Sequence, residues 1–229
     1  MPPPAQARRT RADRAATWLA EAISTGNPLA PLPADAAPRS RAEGERAALL
    51  ALAELGIPPC GLRMLGAIAG PMMEGRLLPD GSAVVGVRHP VATAALIGVL
   101  SAPLAEGEDT PPALSAVHPA LDIAGSRFTA APATLPLRAA DLGGLGMVVA
   151  GAAATPPQDG VMIETPAGAL RTDLSLAFRA AAAAARRLGG LPAGALLVAA
   201  GLSPPIPAGA DGRVMARFGA LGTVSATVV

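Results

Sequence analysis

The chain has 229 residues, 51% of them hydrophobic and 15% charged, with a formal net charge of +1. That length suits one domain, or a domain plus a small N-terminal element, and is enough to bury a sizeable core. Near-neutral charge, 2% aromatic residues and no tyrosine exclude both the basic field and the stacking platforms of a nucleic-acid binder. Mean hydropathy is +0.43, but it comes mainly from alanine. The longest apolar stretch, residues 142–154, is laced with glycine and falls short of the about 20 apolar residues a membrane-spanning helix needs. No apolar segment follows the basic stretch 8–14, so no secretory leader is expected, and the expected location is cytoplasmic. A single cysteine, Cys60, rules out an internal disulfide and argues against a zinc cluster. There is no lysine: apart from two histidines, every basic side chain is arginine.

Residues 1–7 read as a disordered start. Residues 11–24 have helical spacing, with Trp18, Leu19, Ala22 and Ile23 on one face, and Gly26-Asn27-Pro28 ends the helix. A proline-rich connector, 28–39, leads to a second helix over 41–55. Its apolar positions are Leu49, Leu50, Leu52 and Leu55, and Glu43, Glu45 and Arg46 are polar. From Gly61 onward, short valine-, isoleucine- and leucine-rich runs are separated by glycine and proline. The runs at 83–87, 94–100, 147–150, 161–164, 196–200, 213–218 and 223–228 predict a β-rich core. One long helix interrupts them over 172–188, capped by Asp173, with Arg186 and Arg187 at its negative end and Gly189-Gly190 after it. There are no internal repeats. The class is α+β: an N-terminal helical segment over 1–60, then a β-rich domain over 61–229.

Three separated stretches carry a resemblance. They are residues 18–32 (WLAEAISTGNPLAPL), 117–128 (VHPALDIAGSRF) and the C-terminal run 191–228 with its tail FGALGTVSATV. In this order the chain resembles the 2-keto-4-pentenoate hydratase and 4-oxalocrotonate decarboxylase family of the fumarylacetoacetate hydrolase superfamily, as a divergent member. The most specific piece is the Pro-Ala-Leu-acid-x-x-x-Ser-Arg pattern of residues 119–127. The resemblance implies N-terminal helices, then a curled mixed β-sheet or β-roll core with one long helix. It also implies a pocket where three carboxylates hold Mg²⁺ or Mn²⁺: two from a Glu-x-Glu strand pair and one from the PALE-like motif. Hard divalent cations want oxygen ligands, and alternate strand residues share a face. The metal would chelate a small 2-oxo acid and polarise its carbonyl.

At those positions the chain departs from the family. On the strand of residues 90–100 the two metal glutamates fall on Thr93 and Ala95, and the third ligand on Asp122. No cofactor is therefore expected. The family lysine falls on Met64 in Arg63-Met64-Leu65-Gly66. A family Ala-Asp-Asn falls on Ala140-Asp141-Leu142, and a Thr-Gly loop on Ala199-Ala200-Gly201, followed by Leu202 and Ser203. The residues left for chemistry are Asp122 and Asp141 as acid/base candidates, with Arg127, Arg63 and Ser203 for substrate binding. Asp122 also reads as a structural carboxylate held by backbone or by Arg127. The Arg63 and Arg127 guanidiniums could grip a carboxylate in bidentate fashion or serve in structural ion pairs.

His89 and His118 each precede a proline, so each is extended. With Asp122 they raise the idea of a replacement metal site, against two ordinary strand-end histidines. Cys60 lacks an adjacent base and reads as a small buried residue. Met72 and Met73 read as core with Glu74 at a turn, Glu106, Glu108 and Asp109 as a solvated loop, and Gly143–Gly146 as a turn rather than a phosphate loop. Three functions remain open: a hydratase-like lyase of small 2-oxo or 2-hydroxydienoic acids with a degenerate metal site, a non-catalytic homologue serving as a binding or assembly subunit, or a metal-independent enzyme acting on a hydrophobic substrate. The expected partners are a small carboxylic acid or hydrophobic ligand, and copies of the chain or another pathway protein in an oligomer. Neither nucleic acid nor a membrane is expected.

Overall fold

The structure is a computed structural model that describes residues 9–229; the segment 1–7 expected to be disordered lies outside the described residues. Three helices, α1 (Arg11–Thr25), α2 (Arg41–Glu54) and α3 (Leu135–Ala140), form one layer, and a fourth, α4 (Leu174–Arg187), lies elsewhere. The strands are β1 (Gly61–Leu65), β2 (Ile68–Met72), β3 (Leu77–Pro79), β4 (Ala83–Val84), β5 (Arg88–Leu100), β6 (Leu114–Ser126), β7 (Met147–Ala150), β8 (Val161–Thr165), β9 (Gly168–Thr172), β10 (Leu196–Ala200), β11 (Arg213–Arg217) and β12 (Thr223–Val228). They form a seven-stranded sheet, β2-β1-β10-β5-β6-β7-β3, and a five-stranded sheet, β4-β12-β11-β8-β9. Both are mixed: β1–β10, β3–β7 and β4–β12 are parallel, and the other pairs antiparallel. No helix among the described residues is long and apolar enough to cross a membrane.

The larger sheet is the middle layer. Alternation on its strands sends Ala94 and Leu96 of β5, Leu121 and Ile123 of β6, and Leu197 and Ala199 of β10 toward the smaller sheet and Phe178 of α4. It sends Ala95 and Ile97, Ala120, and Val198 and Ala200 to the other face, under Ala48 and Leu52 of α2. Strands covered on both faces need no polar alternation, which is why β5 reads as an unbroken apolar run. The β5–β6 ladder, thirteen residues on each side, is the spine of this sheet, with a register shift between Arg88 and Val91. The motif stretch 117–128 lies mostly on β6, residues 114–126, a strand as long as β5. β1, β2, β3, β9 and α3 are too short or too rich in glycine and proline to show a clear period.

The helical layer is built on alanine. Thr10 and Asp13 form a capping box at the start of α1, and Gly26 closes it in the left-handed conformation. The buried face carries Ala12, Ala15, Ala16, Leu19, Ala20 and Ala22. Trp18, expected on that face, is 44% exposed, because close helix contacts admit small side chains and leave the bulky ring at the edge. α2 likewise buries Gly44, Ala47, Ala48, Ala51 and Leu52, while Leu49 and Leu50 are only partly covered. Glu45, expected on the polar face, is 3% exposed. Its carboxylate accepts from Arg187 Nη1 at 2.6 Å and Nη2 at 2.9 Å, joining α2 to the end of α4. The long helix begins as expected: Asp173 caps it through Ser175 N and Leu176 N. Met72 and Met73 are buried.

Two tests follow from this packing. A Cβ on Gly44 would lie 2.2 Å from Pro136 O of α3. Gly44→Ala should cost about 1–3 kcal/mol of unfolding free energy by overpacking. A change under about 0.5 kcal/mol in urea denaturation, the usual range for a surface substitution, would sink the close-packing account. The Ser175 hydroxyl first, then the backbone amides of Leu176 and Ser175, hold the Asp173 carboxyl below its ordinary value of 3.8. Its capping contribution is therefore present above that value and lost as pH falls through the lowered one. Asp173→Ala should flatten this acid-side part of the stability profile, and an unchanged profile from pH 5 to 2 would refute it.

Candidate functional site

The face of the large sheet that lies under the helical layer holds four of the positions singled out in the sequence: Asp122, Thr93, Ala95 and Arg63. On β6, Asp122 shares this face with Ala120, and its ladder partner on β5 is Thr93. Ala95 lies two residues along and is fully buried. On β1, Arg63 shares the face, whereas Met64 packs with the opposite core. The register that puts Met64 in the lysine place thus sets it on the far side of the strand from Asp122. The cation over Asp122 comes from Arg63 instead.

Arg63 and Asp122 are both 0% exposed. Arg63 Nε donates to Asp122 Oδ1 at 2.5 Å and Nη2 to Oδ2 at 2.6 Å, a parallel two-point grip. Nη1 donates to Gly143 O at 2.8 Å. Thr93 Oγ1 accepts from Gly201 N at 3.2 Å. Asp122 is ion-paired with Arg63, where the sequence had offered backbone or Arg127 as its partner. A pairing was legible in one signal: an arginine inside the apolar strand Gly61–Leu65 needs a buried acceptor.

Arg63 and Asp122 also set the shape of the sheet. Between β1 and β6 lie β10 and β5, so a flat sheet would separate them by about 14 Å laterally and a further 13 Å or so along the strands. That is more than the two side chains together can span. The sheet must curl toward the helical layer for the pair to form.

A second cluster begins where β6 ends. Asp141 follows α3, and its Oδ2 accepts from Ser126 Oγ at 2.7 Å. Its Oδ1 accepts from Arg127 Nη1 at 2.9 Å, and the backbone N of Arg127 lies 3.2 Å from both oxygens. Arg127 Nη2 donates to Leu145 O. The next residue, Leu142, is buried with φ 53°. The resemblance places asparagine there, a residue that tolerates this left-handed conformation better than leucine. Ser203 lies apart from both clusters: its Oγ accepts from Ala94 N at 3.0 Å and donates to Pro204 O at 2.8 Å.

The two histidines lie toward opposite ends of the β5–β6 ladder. His89, expected to be extended before Pro90, instead takes a left-handed φ of 52°; its Nε2 is 3.1 Å from Thr129 O, and His118 Nδ1 is 3.0 Å from Gly151 O. His118 pairs with Ile97, and more than six ladder positions separate it from His89, at least about 20 Å on an extended strand. They cannot share a metal with each other. Among the described residues no three His, Cys, Asp or Glu side chains converge. Cys60 is half-buried, and burial, with Glu74 a smaller influence, raises its thiol pKa, the opposite of nucleophile activation. Sequence reasoning missed Arg76 and Arg88. Both are single basic residues outside any motif, and only the tertiary fold brings them beside Arg127.

The layered mixed sheets and the helices that cover them are the fumarylacetoacetate hydrolase superfamily fold. The solved structures it is similar to include 4-oxalocrotonate decarboxylase from Pseudomonas putida G7 complexed with magnesium and adipate, at TM-score 0.73 and 19% identity over 98% of this chain and 99% of that one. The same enzyme complexed with calcium and acetate gives 0.71 and 19% over the same shares. 5-Carboxymethyl-2-hydroxymuconate delta-isomerase from Mycobacterium smegmatis gives 0.51 and 13%, over 76% of this chain and 78% of that one. No family model and no curated protein matches the sequence.

Removing one member of a buried ion pair strands the other. Arg63→Met should lower the unfolding free energy by about 3–5 kcal/mol, and Arg63→Met with Asp122→Leu should recover most of that loss. A double variant as unstable as the single one in chemical denaturation would contradict the pairing.

Proposed function

We propose that this chain is a hydratase-like homologue with a degenerate metal site. In this reading the fold is kept as a non-catalytic binding or assembly subunit for small carboxylic acids, and metal-dependent lyase chemistry is absent. The observation that carries it is the closed Arg63–Asp122 pair. Enzymes of this fold such as the Pseudomonas putida decarboxylase are described with magnesium, and the resemblance puts that ion on Asp122 and on the places of Thr93 and Ala95.

The residues present do not fit a divalent cation. Magnesium demands near-octahedral oxygen coordination and usually keeps charged carboxylates in its shell. Here both oxygens of the one carboxylate already accept from a guanidinium. Thr93 offers one neutral hydroxyl and Ala95 offers nothing. An incoming cation would also meet the Arg63 charge at contact distance, in an interior where like charges repel strongly.

Acid/base work meets the same obstacle. A general base must be free to reach the proton it takes. Asp122 is sealed with Arg63, and the Asp141 oxygens are shared between Ser126 and Arg127. Both carboxylates act on arginines, so in this reading they position cationic side chains and transfer no protons.

Calorimetric titration of the full chain with Mn²⁺ and Mg²⁺, alongside assay of 2-hydroxypenta-2,4-dienoate turnover, tests the reading. Neither saturable metal binding nor turnover is expected. Saturable Mn²⁺ binding that disappears in Asp122→Asn, or metal-dependent turnover, would overturn it.

A further inference from the structure

Three guanidinium groups line a cavity of about 90 Å³, and no acidic side chain among the described residues lines it. Arg88 opens β5, where its ladder partner is Ser126. Arg127 follows directly at the end of β6. Arg76 comes from the short 3₁₀ turn that leads into β3. Gly86, Gly125 and Gly146, with the apolar side chains of Ile23, Val87 and Leu145, form much of the remaining wall.

The three are held to different degrees. Arg127 is 8% exposed; Asp141 and Leu145 take its two terminal nitrogens, and its Nε has no hydrogen-bond partner among the described residues. Arg88 donates Nη2 to Gly26 O at 3.0 Å. Arg76 is half-buried and forms no ion pair among the described residues. Burial first, and then the charge of Arg127, lower its pKa, yet a guanidinium stays charged at neutral pH.

Asp141 offsets one of the three charges, and among the described residues the other two have no ion-pair partner. Like charges gathered under partial burial repel, and a buried donor without an acceptor costs free energy. An anion bound in the cavity would relieve the repulsion. Guanidinium forks match carboxylate and phosphate oxygens in particular, because they offer two parallel N–H groups.

We propose that this cavity binds the oxyanion end of a small molecule, a carboxylate or a phosphate, between Arg76 and Arg127 with Arg88 beside them. Its volume admits one such group and little more, so the body of the ligand extends outside it. Arg63, Asp122, Thr93 and Ala95 play no part, so the site stands or falls separately from the non-catalytic reading.

The test is isothermal titration of the full chain with phosphate and with acetate, each at ionic strength matched by sodium chloride, followed by thermal unfolding. The wild-type chain should bind at least one of the two above the chloride background. Arg76→Gln, which breaks no ion pair, should weaken that binding about tenfold, the size of one charge-assisted hydrogen bond. It should also raise the midpoint of unfolding in the absence of the anion. Arg88→Gln should weaken binding in the same direction, and Arg138→Gln, an exposed arginine away from the cavity, should not. Binding of phosphate alone assigns a phosphate ester, and of acetate alone a carboxylate. Binding of neither, or equal weakening by Arg76→Gln and Arg138→Gln, overturns the site.

Discussion

A guanidinium and a carboxylate with no access to water must satisfy one another, and the Arg63–Asp122 pair does so from strands that are not neighbours. Each is fully buried, and each brings an ionic desolvation cost that only close two-point contact offsets. Such a pair is weak evidence for stability, but here it constrains shape. β1 and β6 lie three strand spacings apart in the order β1-β10-β5-β6, so contact demands a curled sheet. It also fixes register. A one-residue slip of β1 would carry Arg63 to the apolar face and set Met64 over Asp122.

The layer above this face is packed through small side chains. Alanine covers most of the buried surface of α1 and α2, and Gly44 meets the α3 backbone with no space for a methyl group. The Gly143 carbonyl, in the turn after α3, completes the hydrogen bonding of Arg63. The helices, the turn and the strand pair therefore form one closed arrangement in which no carboxylate oxygen of Asp122 is left over.

The charges of the region are paired, arginine with carboxylate. Its two carboxylates each serve an arginine: Asp122 holds Arg63, and Asp141 holds Arg127. Beyond Arg127 two more guanidiniums border the same small cavity. A chain without lysine puts all its fixed positive charge on arginine, the side chain suited both to burial beside carboxylates and to gripping planar oxyanions.

The sequence determined the element types where a strong local signal existed: the helix over 11–24, the long helix capped by Asp173, the apolar centre of β5, and the C-terminal strands. The resemblance also pointed to Asp122, Arg127 and Asp141 as site candidates and set the family's other two carboxylates on Thr93 and Ala95. The sequence misjudged Trp18 and Glu45, because a helix's buried face is chosen by what it packs against and hydropathy alone cannot name that partner. Only the tertiary structure decided which arginine meets which carboxylate. Arg63 and Asp122 are 59 residues apart in the chain, and nothing local distinguishes Arg63 from Arg127 as the partner of Asp122. The convergence of Arg76, Arg88 and Arg127 was hidden for the same reason: charge–charge proximity between distant segments is a property of the curl of the sheet, and a linear pattern carries no record of it.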